Sequence, residues 1–196
     1  MKGILLIIFA YLVGSIPTGV LTSKLLGGVD PREVGSKNIG ATNVLRSQGK
    51  TAGVITLLGD MTKGLIPTLM AFYILKTPLW VSMVAVAAFL GHLYPLFLGF
   101  KGGKGVATAA GVSLAISPPV FLLSSLVFGG VVYKWRYVSL GSLTSAATLP
   151  LFLLIFTLSL IYPIAGLIIG GMVFYKHREN IDRLMKGKEK KLGKRV

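Results

Sequence analysis

The sequence predicts an all-α integral membrane protein of seven transmembrane helices, with the N-terminus outside and the C-terminus in the cytoplasm. Three observations carry that expectation: 53% of the 196 residues are hydrophobic, with a mean hydropathy of +0.76; only 14% are charged; and the cations sit in short gaps between apolar runs. Soluble domains carry about 25% charged residues. A net charge of +15 raises nucleic acid as a partner, but a nucleic-acid face needs a soluble domain to display it. Cations between apolar runs form a topology signal instead, so no nucleic-acid partner is expected. The chain has no cysteine, which excludes disulfides, thiolate metal sites and a thiol nucleophile.

A bilayer core of about 30 Å takes about 20 apolar residues as helix. Clear spans run from Ile4 to Leu26, Gly53 to Leu75 and Pro78 to Phe97. The first follows a single Lys2 and leads to no small-residue cleavage site, so it reads as a retained helix rather than a signal peptide. The run from Gly105 to Tyr133 has Pro118-Pro119 at its middle, where the rings remove backbone donors and break a helix; it splits into two short helices. The 37 residues from Ser139 to Tyr175 would extend roughly 55 Å as one helix. They contain Tyr162-Pro163 and Gly170-Gly171, and they split too.

Charge tests the count. With seven spans, residues 24–51, 98–104, 133–138 and everything from 176 share one side and hold 18 of the 21 cations, leaving Lys2, Lys63 and Lys76. Leaving either long run whole puts Lys101 and Lys104, or Lys134 and Arg136, opposite the tail. The positive-inside rule therefore favours seven spans, with a re-entrant pair around Pro118 as the variant. Residues 1–185 read as a single polytopic domain with cytoplasmic loops. Residues 186–196, KGKEKKLGKRV, read as a mobile basic cytoplasmic tail drawn to anionic lipid.

The polar clusters all fall on the cytoplasmic side and are expected to converge at one mouth. They are GSKNIGATNVLR (Gly35 to Arg46), GHLYPLFLGFKGGKGVAT (Gly91 to Thr108) and FYKHREN (Phe174 to Asn180), with Ser142 adding a hydroxyl. Glycine lets backbone N–H groups turn toward an anion, and a helix N-terminus adds partial positive charge. Two phosphate cradles follow. The first offers Ser36, Asn38, Thr42 and Asn43 with the cations Lys37 and Arg46; the second offers Gly102, Gly103 and Gly105 around Lys104, with Lys101 before and Thr108 after. Helix packing is the alternative use of glycine, and it suits the Gly166–Gly170 spacing; two lysines argue against it in KGGKG. That segment lacks the spacing and the hydroxyl of a Walker A motif.

The usual catalytic devices are thin. Asp30, Glu33, Asp60, Glu179 and Asp182 are too scattered for a two-metal site, so no metal or other cofactor is expected. His177 and Asp182 spell H-x4-D, a spacing used by another class of glycerolipid acyltransferases, but residues five apart on a continuous helix point about 140° from each other. His177, beside Arg178, Glu179 and Asn180, is a candidate base. His92 reads equally as a structural residue at a helix end, and Lys63 with Asp60 as a snorkelling or paired set near an interface.

Together GSIPTG (Gly14 to Gly19), GSKNIGATNVLR, GHLYPLFLGFKGGKGVAT and KHREN resemble the signature segments of the PlsY family, the bacterial acyl-phosphate:glycerol-3-phosphate acyltransferases. The resemblance covers nearly the whole chain, with no departure at the motif positions. It implies transfer of a fatty acyl group from acyl phosphate to the 1-hydroxyl of glycerol 3-phosphate, giving lysophosphatidic acid and phosphate at the bacterial inner membrane. It implies that Ser36 and Arg46 are essential, that the second-motif glycines and Lys104 bind the phosphate of glycerol 3-phosphate, and that His177 and Asn180 serve the active site. Glu179 is then a structural partner of a nearby arginine. Membrane lipids, and a soluble enzyme that supplies acyl phosphate, are the implied partners. A transporter of a phosphorylated metabolite is the rival reading. Against it, every anion-binding signal faces one way.

Overall fold

The computed structural model describes residues 1–193, and the end of the basic tail, residues 194–196, lies outside the described residues. The described residues form helices and no strand, in two compact units, one from Met1 to Ile116 and one that begins at Ser117.

The first unit holds α1 (Lys2–Gly14), α2 (Thr18–Leu25), α3 (Ala41–Gln48), α4 (Lys50–Leu75), α5 (Pro78–Leu93), a short 3-10 turn (Leu96–Leu98) and α6 (Val106–Ile116). The first apolar run is not one helix: α1 and α2 meet at 42° across residues 15–17. Pro17 lies in that break, at the N-cap of α2, where a residue without an N–H can start a helix but not continue one. Small residues seat α1 on α5. Gly14 lies on the Ala88 carbonyl and Gly91 on the Tyr11 carbonyl, so closely that neither place admits a Cβ. This is the close backbone approach that apolar helices use when no hydrophobic difference from lipid drives them together. The α4–α6 contact repeats the device with Gly64 on Thr108 and Gly111 on Met61.

The second unit holds α7 (Pro118–Trp135), α8 (Val138–Phe156), α9 (Ile161–Lys176) and α10 (Arg178–Met185). The long run beginning at Gly105 breaks at Ser117, just before the proline pair, as expected. The run beginning at Ser139 breaks at residues 157–160 instead of at Pro163 or the glycine pair. Pro163 falls in the first turn of α9, where its missing N–H has no partner to lose. Gly166 packs against Pro150 and Leu153, and Gly170 against the Ala146 carbonyl, the helix-contact role expected of that spacing.

Four of the described helices, α4, α5 with its 3-10 extension, α7 and α8, are long and apolar enough to cross a membrane; the bent α1–α2 pair makes a fifth. The apolar helices α6 and α9 are shorter, at 11 and 16 residues.

Candidate functional site

The first cradle lies between α2 and α3 in the first unit. Its organiser is Asn43, a buried residue in the first turn of α3. The Asn43 side-chain oxygen accepts from the Ser36 backbone N–H at 2.9 Å, and its amide nitrogen donates to the carbonyls of Pro31 at 2.8 Å, Asn38 at 2.9 Å and Val34 at 3.1 Å. Both ends of this amide are engaged within the loop. Asn43 therefore shapes the cradle, an organising role the sequence did not suggest for it. Gly35, at φ +61°, lies against the same side-chain oxygen; a left-handed backbone in contact there requires glycine. Asn38 closes a tight turn by accepting from the Gly40 N–H at 2.8 Å.

That arrangement leaves Ser36, Lys37 and Arg46 exposed and Asn38 and Thr42 half-buried. Thr42 belongs to the first turn of α3, whose N-cap is Gly40 and brings no side-chain acceptor. The leading amides of such a helix turn outward with a partial positive charge, which suits an anion.

The second cradle, residues 101–105, lies on the C-terminal end of α5. The Gly103 N–H donates to the His92 carbonyl at 3.1 Å. A Cβ on Gly103 would strike the His92 ring, and one on Gly102 the His92 carbonyl and Pro95. Gly105, at φ +79°, sits against Phe89 and Leu93. These glycines do not join two helices, but they do pack: they press a loop onto α5. The Gly103 amide faces α5, so Gly103 contributes by letting the loop lie flat. Lys104 is half-buried and Lys101 exposed at the rim.

Beneath this loop is a buried polar cluster. Asp60 and Lys63 of α4 and His92 of α5 are 2%, 4% and 3% exposed. Lys63 Nζ is 2.8 Å from Asp60 Oδ1, and His92 Nδ1 is 3.3 Å from the same oxygen. The Thr18 hydroxyl also donates to it. Lys63 and Asp60 are thus a buried pair and do not snorkel to an interface.

In the second unit, Ser142 is buried and its hydroxyl donates to the Val138 carbonyl at 2.9 Å, a local helix bond that occupies its proton. The chain turns at His177, which ends α9 and begins α10. His177 is buried, and Nδ1 lies 2.8 Å from the Val173 carbonyl. A carbonyl only accepts, so Nδ1 carries the hydrogen, which in the neutral tautomer makes Nε2 the acceptor atom. His177 caps α10 and its carbonyl accepts from the Ile181 N–H at 2.9 Å, so residues 177–182 follow one helix, as the H-x4-D argument assumed. His177 and Asp182 also differ in setting: Asp182 is exposed and pairs with Lys186 at 2.8 Å.

The sequence passed over Glu189. Its Oε1 accepts from Asn180 Nδ2 and from the Ser139 hydroxyl, each at 2.7 Å, and its Oε2 accepts from Arg183 Nε at 2.8 Å. Glu179, expected to partner a nearby arginine, does reach Arg183, at 3.9 Å and from a 77% exposed position. Nor is the start of the tail a free solvated end: besides Glu189, the Leu192 N–H donates to the Arg136 carbonyl at 2.6 Å. Burial pushes the Glu189 carboxyl up, but the hydrogen bonds from Arg183, Asn180 and Ser139 outweigh it and hold the carboxyl below its ordinary range. A depressed folded-state value means stability that is present at neutral pH and lost as pH falls through that value. Glu189→Gln is expected to lower the melting temperature at neutral pH and to flatten its decline below the ordinary glutamate range. A pH series of melting curves on the two proteins checks this.

A family profile described as Glycerol-3-phosphate acyltransferase matches residues 4–187. Among curated relatives, the glycerol-3-phosphate acyltransferase of Geotalea daltonii is 51% identical over 186 residues, covering 95% of each chain. That of Aquifex aeolicus is 50% identical over 194 residues, covering 96% of this chain and 98% of its own. Two crystal structures of PlsY, an integral membrane glycerol 3-phosphate acyltransferase, superpose with TM-scores of 0.93 and 0.92 at 46% and 45% identity, over 98% of this chain and 96% of theirs. One is a glycerol 3-phosphate form and the other a lysophosphatidic acid form. A match this long in sequence and backbone also takes in both glycine loops and the turn at His177: the chain belongs to the PlsY family of glycerol-3-phosphate acyltransferases.

Proposed function

We propose that the protein transfers a fatty acyl group from acyl phosphate to the 1-hydroxyl of glycerol 3-phosphate, releasing lysophosphatidic acid and phosphate, at the bacterial inner membrane with its cradles facing the cytoplasm. The observation that carries the reading is the pair of built loops in the first unit, one ending at the open N-terminus of α3 and one flattened onto α5 beside Lys104. Two cradles suit a reaction whose two substrates are both phosphorylated. The spans are then α1–α2, α4, α5, α6, α7, α8 and α9, with the N-terminus outside. The cation distribution supports that count.

The chain has no cysteine, and the buried Ser142 hydroxyl is tied to its own helix, so neither supplies a carrier for an acyl-enzyme. Direct attack is simpler. The glycerol hydroxyl oxygen bonds to the acyl carbonyl carbon, the carbon–oxygen bond to phosphate breaks, and phosphate leaves with the electron pair. The residues align the two substrates and stabilise the developing oxyanion. Ser36, Arg46 and Lys104 hold phosphate, Lys101, Asn38 and Thr42 line the cradles, and Asn180 is a polar contact oriented by Glu189. The hydroxyl proton goes to the departing phosphate or to His177 Nε2.

Purified protein in lipid, given acyl phosphate and glycerol 3-phosphate, is expected to release phosphate; folded protein that releases none defeats the reading. His177→Ala separates the proton routes. Near-normal turnover at saturating substrates selects the phosphate route, and a loss of about 100-fold or more, the scale of general-base catalysis, selects His177.

A further inference from the structure

The segment GSIPTG, Gly14 to Gly19, and the Asp60 cluster have no part in the chemistry above. We infer that Asp60, with Thr18, Lys63 and His92, is a positioning cluster that holds the two phosphate-binding loops of the first unit in register with each other; this rests on the assignment of both loops to phosphate.

One arm runs to the second cradle. His92 Nδ1 lies 3.3 Å from Asp60 Oδ1, the His92 carbonyl accepts from the Gly103 N–H at 3.1 Å, and Gly102 rests on the same carbonyl. The other arm runs to the first cradle through GSIPTG. The Thr18 hydroxyl donates to the same Asp60 oxygen. The next residue, Gly19, is buried and meets the carbonyl of Ile39, inside the first loop, with no room for a Cβ. Lys63 completes the cluster: it pairs with Asp60 at 2.8 Å and donates at 3.0 Å to the Ile16 carbonyl in the α1–α2 break, which also accepts from the Thr18 N–H at 3.0 Å. One carboxylate oxygen thus ties both loops to α4.

Stability alone is a poor account of such a cluster. Buried ion pairs are often no more stabilising than apolar residues of the same volume, and charges within membrane spans are costly and mark function. What the cluster supplies is distance and orientation, to which reactions between two bound substrates are sensitive.

The test is phosphate release by wild type, Thr18→Val, Thr18→Ser and Gly19→Ala in lipid, with KM and kcat for glycerol 3-phosphate and melting temperature measured on each. Thr18→Val keeps the shape and removes the hydroxyl; it is expected to raise KM roughly tenfold, as a small misplacement does, and Thr18→Ser to restore it. Gly19→Ala is expected to raise KM independently by pushing on Ile39. A folded Thr18→Val or Gly19→Ala with wild-type KM, or a defect confined to melting temperature, overturns the inference. If wild type releases no phosphate, the parent reading falls, and calorimetric binding of glycerol 3-phosphate to the same proteins still decides: weaker binding by both variants supports the cluster, and an unchanged Kd overturns it.

Discussion

Asn43→Ala is expected to cripple the reaction while leaving the helices in place. The Asn43 amide joins the Ser36 N–H to the carbonyls of Pro31, Val34 and Asn38, which closes a loop whose other residues have little apolar surface to bury. Removing it leaves the Ser36 N–H and the Pro31 and Asn38 carbonyls without this partner, while the Val34 carbonyl keeps the Lys37 N–H at 3.0 Å, and each such group that stays buried costs roughly 1–3 kcal/mol. The loop opens to give those groups to water. The Ser36 N–H is then no longer held at the first turn of α3, and kcat/KM for glycerol 3-phosphate is expected to fall by about 100-fold or more. Asn43→Asp separates organiser from ligand contact. A carboxylate keeps the acceptor for Ser36 but faces three carbonyls with no hydrogen to donate, so the organiser role predicts a loss as severe as that of Asn43→Ala. A role in ligand contact through the amide oxygen predicts partial retention. Kinetics on both variants, with circular dichroism to show intact helix content, distinguish the two.

That role shows where reading the sequence stops. Asn43 stood among phosphate ligands because its residue type and neighbours suit one; the three carbonyls that claim its amide are fixed only when the loop closes. What was legible obeys local rules. Apolar length gave the runs, and Pro118 gave a true break because a ring without an N–H cannot continue a helix. The run from Ser139 splits as expected, but the rule does not locate that break: Pro163 sits where no N–H is needed, and the chain turns at residues 157–160. Glu189 was passed over because its partners Ser139, Asn180 and Arg183 come from two helices, and a lone acid in KGKEKK looks like any solvated charge. The Asp60 cluster joins residues 42 apart at Thr18 and others on α5, with no periodicity to announce it. The glycines of KGGKG were read as a phosphate cradle, and their packing as a loop on α5 was not considered.

That packing carries the second large effect. Gly103→Ala is expected to raise KM for glycerol 3-phosphate by about tenfold or more, with a smaller change in kcat. The added Cβ would meet the His92 ring at Nε2, Cε1 and Cδ2. His92 has no open side to move toward: it is 3% exposed and held at Asp60. The loop must rise instead, stretching the Gly103 N–H from the His92 carbonyl and carrying Lys104 with it. The obstacle is steric and not conformational, because Gly103 does not sit at positive φ; serine, with its larger side chain, should be worse than alanine. Gly171→Ala is the control. That glycine lies within α9 with nothing near its missing Cβ, so alanine there should leave KM and kcat unchanged and stabilise the helix by up to about 1 kcal/mol. Steady-state kinetics on the two variants side by side check the argument: a Gly103→Ala enzyme with the KM of Gly171→Ala means that the loop's fit against His92 does not set the affinity for glycerol 3-phosphate.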